Sequence, residues 1–137
     1  MQFLLDTNIL SELLKPQPNS KVIDHLGYDD RSIAIAAVTY YEMVFGYVKL
    51  RNSHKKDAIE IFVRQEIQEK LLILPYDEDA AKWHALEVGR LRQRGKTPPH
   101  LDGQIAAIAA VNNLTLVTRN TKDFQHFRDL RIENWFE

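Results

Sequence analysis

The sequence contains no cysteine. Disulfides and thiolate metal sites are therefore excluded, and a reducing compartment such as the cytoplasm is expected. No apolar run approaches the length of a bilayer span. The opening Met1-Gln2-Phe3 lacks the basic segment of a signal peptide. No membrane association is expected. Neither sign of charge is in excess: 18 Lys and Arg stand against 19 Asp and Glu, for a net charge of −1. A global electrostatic footprint for nucleic acid is absent, so any such role must rest on local basic clusters. No internal repeat or low-complexity stretch interrupts the chain. What is present is an ordinary globular balance, 45% hydrophobic and 27% charged over 137 residues. That suits one domain, 1–137, with one core.

The stretch with most information is Phe3-Leu4-Leu5-Asp6-Thr7-Asn8. Three apolar residues read as a short buried strand, and Asp6 stands where it ends. Ligands bind at the carboxyl ends of strands in open α/β sheets, so a carboxylate there is placed for chemistry. It is equally a favoured helix cap, as are Thr7 and Asn8. Both readings stay open on this stretch alone.

Beyond it, strands alternate with helical periodicity. Strands are expected over 2–6, 32–36, 71–74 and 114–118, with an edge strand near 130–132. Helices are expected over 8–15, 20–26, 38–50, 57–70, 78–94 and 101–112. Pro16 stops the first; Gly27 and Gly95 end the second and fifth; Asp77 caps the fifth. Alanines on several faces of 105–111 let that helix lie close to its neighbours. The alternation argues for a mainly parallel sheet of four to five strands covered on both faces.

Four acids fall at corresponding places. Asp6 ends the first strand, Glu42 is expected in the first turn after the second, Asp102 opens the alanine-rich helix, and Asp123 follows the fourth strand. In a parallel sheet they could line one crevice. Clustered carboxylates repel unless a cation neutralises them, and oxygen-only ligation suits Mg²⁺ or Mn²⁺. Each acid also has a plain structural role open to it. Thr39-Tyr40-Tyr41-Glu42 fits a capping box, Asp102 complements a helix dipole, and Asp123 suits a solvated surface.

Four blocks carry a family resemblance: Leu4-Leu5-Asp6-Thr7-Asn8, Val38-Thr39-Tyr40-Tyr41-Glu42, Leu101-Asp102-Gly103-Gln104-Ile105-Ala106-Ala107 and Leu116-Val117-Thr118-Arg119-Asn120-Thr121-Lys122-Asp123-Phe124. In this order the chain resembles the PIN-domain ribonucleases, and more closely the VapC toxins of bacterial toxin–antitoxin pairs. The resemblance implies a PIN-like three-layer α/β/α fold. It implies a Mg²⁺-dependent endoribonuclease (Mn²⁺ being the other candidate) that acts on structured RNA, tRNA among the candidates, and inhibits translation. Asp6, Glu42, Asp102 and Asp123 then match the metal-binding, catalytic acids. Asn120 competes with Asp123 for the fourth place and otherwise neighbours it, while Thr7 and Thr118 orient ligands. The implied partners are a VapB-type antitoxin, RNA and a second copy of the chain. Arg119, Lys55, Lys56, Arg92 and Arg94 are the candidate RNA contacts, Tyr40 and Tyr41 could stack on bases, and His100 is read as a loop histidine. Leu10, Leu14 and Tyr47 are candidate apolar contacts for the antitoxin. The competing readings are a non-catalytic PIN-like module that binds RNA or protein, an aspartyl phosphatase and a phospho-acceptor domain. The phosphatase needs an acid where Asn8 stands, and the phospho-acceptor domain needs a lysine near Thr118.

Overall fold

A computed structural model describes residues 2–27 and 32–137. The chain runs β1 (Phe3–Leu5), α1 (Thr7–Glu12), α2 (Ser20–Gly27), β2 (Ile33–Ala36), α3 (Ala37–Val48) and α4 (His54–Phe62). A π-helical segment, Val63–Gln68, leads into β3 (Leu72–Leu74). Then come α5 (Glu78–Gln93), α6 (His100–Val111), β4 (Thr115–Val117), a 3-10 turn (Thr121–Asp123) and β5 (Ile132–Glu133). The sheet order is β3-β2-β1-β4-β5, and every pairing is parallel.

The three inner strands, β1, β2 and β4, are largely buried on both faces. Alternate residues enter opposite cores, as the two-residue period of a strand requires. Leu4, Ala34, Ala36 and Leu116 face one core with α5 and α6. Phe3, Leu5, Ile35 and Val117 face the other, with α1 to α4 and Trp135. The result is a three-layer α/β/α body. Fully burying a side chain such as Leu4 or Ile35 contributes about 1.5–3 kcal/mol. Trp135 closes the second core, edge-on to Phe3 and stacked on His25.

Strand order positions the site. The chain moves from β1 outward to β2 and β3, then returns to place β4 on the other side of β1. The crevice beyond the carboxyl ends of β1 and β4 is thus the topological switch point, where open α/β sheets bind ligands. Register pairs Leu5 with Val117, so Asp6 and Thr118 emerge side by side.

Several boundaries differ from those the periodicity predicts. Helix α1 stops at Glu12 rather than at 15, because Pro16 disfavours helical geometry at Lys15. The last turn tightens into i→i−3 bonds from Leu13, Leu14 and Lys15. Helix α3 starts directly at the end of β2, so Glu42 lies in its second turn, not its first. No capping box forms: the cap position is Ala36, without a side-chain bond. The 57–70 helix begins earlier, at His54, where the Ser53 hydroxyl accepts the Lys56 N–H. It changes to π geometry at Val63, with Val63 and Ile67 both in the core. The edge strand lies at 132–133 and pairs in parallel with β4. Asp77 caps α5 by accepting the Ala80 N–H. Gly95, at φ +76, supplies the left-handed turn after it.

Candidate active site

Asp6 does both things its position allows. As the cap of α1, its Oδ1 accepts the Thr7 N–H at 2.8 Å. Its Oδ2 accepts the Thr118 hydroxyl at 2.9 Å and the Asn8 Nδ2 at 3.3 Å. The residue is only 7% exposed. Burial pushes its carboxyl above the usual range despite these bonds, and the charge of Asp123 adds to the rise.

Glu42 reaches the same place from α3. Its Oε1 accepts the Thr7 hydroxyl at 3.0 Å. Thr39, its supposed partner in a capping box, is buried with an unpartnered hydroxyl. Burial raises the Glu42 carboxyl, and Asp6 raises it further. Asp102 enters from the first turn of α6. Burial pushes it up to about 6, followed by the charges of Asp123, Asp6 and Glu42. Asp123 itself sits on the exposed 3-10 turn after β4, close enough to act on both Asp6 and Asp102.

Asp6, Glu42 and Asp102 line one cleft of about 480 Å³ with Thr7 and Asn120. The Asn120 N–H donates to the Thr118 hydroxyl at 3.1 Å, so the fully buried Thr118 ties β4 to Asp6 and to the loop after β4. Asn8, by its spacing a favoured helix cap, instead turns its side chain to the site. Its amide donates to Asp6 and to the Thr118 hydroxyl, and its Oδ1 accepts the Arg119 N–H at 3.1 Å. Ser11, Glu12 and Lys15 also line the cleft and were not singled out. A signal for them existed. Residues 8, 11, 12 and 15 form a polar stripe at helical spacing, opposite Ile9, Leu10 and Leu13.

The donor chemistry suits a hard divalent cation: oxygen atoms only, several acids, and carboxyls raised by burial and, after that, by one another's charge. Among the described residues, no group of three or more His, Cys, Asp or Glu side chains is gathered closely enough to hold a metal ion by itself. Mg²⁺ in general keeps several waters and is held by one or two carboxylates together with substrate phosphate.

The other expected residues are placed less centrally. Arg119 lines the cleft. Leu14, Tyr41 and Lys55 line a neighbouring groove of about 560 Å³. Tyr41 is exposed and stacks on Phe45, whereas Tyr40 packs against the second core. Lys56 lies on α4 and contacts Asn52. Arg92 and Arg94 sit at the exposed end of α5, and Arg92 lines a separate pocket with His84 and His100. Leu10 is 2% exposed: it is a core residue and cannot contact a partner. Tyr47 is partly buried against the same core. His100 is the first residue of α6 rather than part of a loop, with its ring 4.8 Å from that of His84. No helix among the described residues is long and apolar enough to cross a membrane.

Comparison with known proteins places this geometry among others. The signature of the PIN domain matches residues 3–130. Toxin FitB of Neisseria gonorrhoeae is 37% identical over 126 residues, covering 88% of this chain and 89% of that one. The tRNA(fMet)-specific endonuclease VapC of Shigella flexneri is 31% identical over 136 residues, covering 98% of each. The solved structure of FitAcB from Neisseria gonorrhoeae superposes with a TM-score of 0.91 at 34% identity, covering 99% of both chains.

Proposed function

The chain belongs to the PIN domain family as a toxin of the VapC type, and from that premise we propose that it is a Mg²⁺-dependent endoribonuclease. Its substrate is structured RNA, and tRNA is the first candidate because the Shigella relative is named for it. Cleavage of that class would inhibit translation. The observation that carries the reading is the convergence of Asp6, Glu42 and Asp102, from three separate elements, on one cleft at the switch point of the sheet.

Asp6 and Asp102 would hold the ion directly. Glu42 and Asp123 would complete the charge, in part through water. When bound, such an ion supplies Lewis acidity and neutralises charge for hydrolysis of a phosphodiester. Thr118 and Asn8 fix the Asp6 carboxylate in one orientation, and Thr7 does the same for Glu42. These bonds are made before substrate arrives, so little reorganisation is left for the reaction itself. No side chain has to act as nucleophile. A VapB-type antitoxin would restrain the enzyme, and an arginine is well suited to replace metal charge among carboxylates. The chain is also expected to form a homodimer in the cytoplasm.

Two measurements on purified protein test this. Calorimetry should show Mn²⁺ binding that is lost in Asp6→Asn, and RNA cleavage should require the metal and fail in the same variant. Undiminished Mn²⁺ binding in Asp6→Asn would refute the site. Metal binding without any RNA cleavage would favour the binding-module reading. Sedimentation tests the dimer, and co-expression with the product of the adjacent gene tests the antitoxin: growth arrest should cease.

A further inference from the structure

The cleft has a second wall that the acids do not explain. Glu12 is 6% exposed, yet it behaves unlike the other three acids. Lys15 and the Asn19 N–H hold its carboxyl below the usual range, with Arg119 contributing. The contacts are direct: Lys15 Nζ lies 2.9 Å from Oε1, and the Asn19 N–H donates to Oε2 at 2.9 Å. Glu12 is therefore already neutralised by the protein and has no need of a metal.

The two cations are fixed from outside the acid set. The Arg119 guanidinium lies 4.6 Å from the centroid of the Phe136 ring, and its main chain is tied to Asn8. Among the described residues no ion pair joins Lys15 or Arg119 to Asp6, Glu42 or Asp102. Both nevertheless line the same cleft as those acids. Two cations are thus held beside a carboxylate cluster without quenching it. Lys15 is mostly exposed, so it remains free to make further contacts.

We infer that Lys15 and Arg119 form a phosphate-gripping subsite for the RNA backbone beside the scissile position, with Glu12 and Phe136 as its anchors rather than as contacts to substrate. This rests on the ribonuclease reading of the neighbouring acids. An RNA entering a cleft of like charge must be offered positive charge close by. The planar Arg119 fork suits a phosphodiester, and Lys15 adds a movable point charge. The subsite also gives the polar stripe at 8, 11, 12 and 15 a purpose: α1 and the turn after it carry Asn8 for the acid wall, and Glu12 and Lys15 for the cationic one.

The test is fluorescence anisotropy with a short fluorescein-labelled RNA hairpin, in EDTA so that no turnover occurs. Lys15→Met and Arg119→Met should each weaken binding about 5–10-fold at low salt. Each should also reduce the salt dependence by about one counterion. Arg119→Lys should keep most of the affinity. Lys70→Met, the same charge change in the exposed turn before β3 and outside the lining of the cleft, should leave binding unchanged. Equal binding by parent and both Met variants would overturn the subsite, as would a parent that binds neither the hairpin nor bulk tRNA. A Mn²⁺ titration keeps this apart from the ribonuclease reading. Lys15→Met, Arg119→Met and Glu12→Gln should all bind Mn²⁺ like the parent, because none of the three residues holds the ion. A tenfold loss in Glu12→Gln would make Glu12 a metal ligand and overturn its role as anchor. If Asp6→Asn leaves Mn²⁺ binding intact, the metal site fails while the RNA-binding result stands by itself.

Discussion

The two walls of the cleft use the same residue type in opposite electrostatic states. On one wall Asp6 is buried and Glu42 and Asp102 are half-buried near it, and every carboxyl is pushed up. On the other, Glu12 is as deeply enclosed but is matched by Lys15 and a backbone N–H, and its carboxyl is pushed down. Asp6 and Glu12 are about equally enclosed, so exposure alone does not distinguish those two. What differs is whether the protein itself supplies the countercharge. An acid the protein has satisfied is structural, whereas a group of acids left unsatisfied is poised for a charge from outside.

The largest effect should come from removing the unsatisfied charge. Asp6→Asn or Asp102→Asn should lower metal-dependent cleavage at least about a hundredfold, since Lewis-acid stabilisation is worth several kcal/mol. Single-turnover assays at saturating Mg²⁺ would check this. If Glu12→Gln lost as much, the distinction between the walls would break.

Next comes the support of the acid wall. Thr118→Val removes a hydroxyl that donates to Asp6 and accepts from Asn8 and Asn120. Metal affinity should fall about 10–100-fold, while Thr118→Ser should retain it. Calorimetric Mn²⁺ titration distinguishes the two variants.

Gly103→Ala probes the backbone behind Asp102. A Cβ at that position of α6 would run into the His84 imidazole, which is buried on α5 and held by Tyr76. The overpacking should cost about 1–3 kcal/mol in urea denaturation. It should reduce metal affinity by moving Asp102, yet leave RNA binding in EDTA nearly intact because the cationic wall is built on the turn after α1 and the loop after β4.

The smallest effect is the most diagnostic of charge state. An acid whose folded pKa is raised binds more protons folded than unfolded, so it lowers stability as pH rises. For Asp102 this loss should develop between the ordinary aspartate value of 3.8 and about 6. With allowance for its partial exposure it should amount to about 1 kcal/mol. Denaturation of the metal-free protein across that range should show it. Asp102→Asn or added Mg²⁺ should remove it. Glu12 works with the opposite sign: its lowered pKa contributes stability above about 4.5 that disappears as pH falls through the folded value. Glu12→Gln should flatten only this acid limb.

Much of the fold was legible from the chain alone. Short apolar runs alternating with helical periodicity require a covered parallel sheet, and the five-stranded three-layer body agrees. Asp77 and Gly95 were local signals with local causes. Boundaries failed where tertiary contacts overrode them. Thr39 and Glu42 have capping-box spacing, but β2 runs into α3 without a loop, so the box has no cap to close. Glu42 is left to the Thr7 hydroxyl instead. Leu10 and Leu13 share one helical period, and only packing decides that Leu10 is fully enclosed.

Residue type and short-range spacing were enough to say which residues carry acids, that short apolar strands alternate with helices, and that no thiolate chemistry is open to this protein. Only the tertiary structure decided that β4 returns beside β1. That order brings Asp6 against Thr118, residues 112 positions apart in the chain, and it places Lys15 and Arg119 on the same cleft. Periodicity is a local property and carries no information about strand order. The electrostatic difference between Glu12 and Asp6 depends on that order, since it is set by which groups fold around each carboxylate.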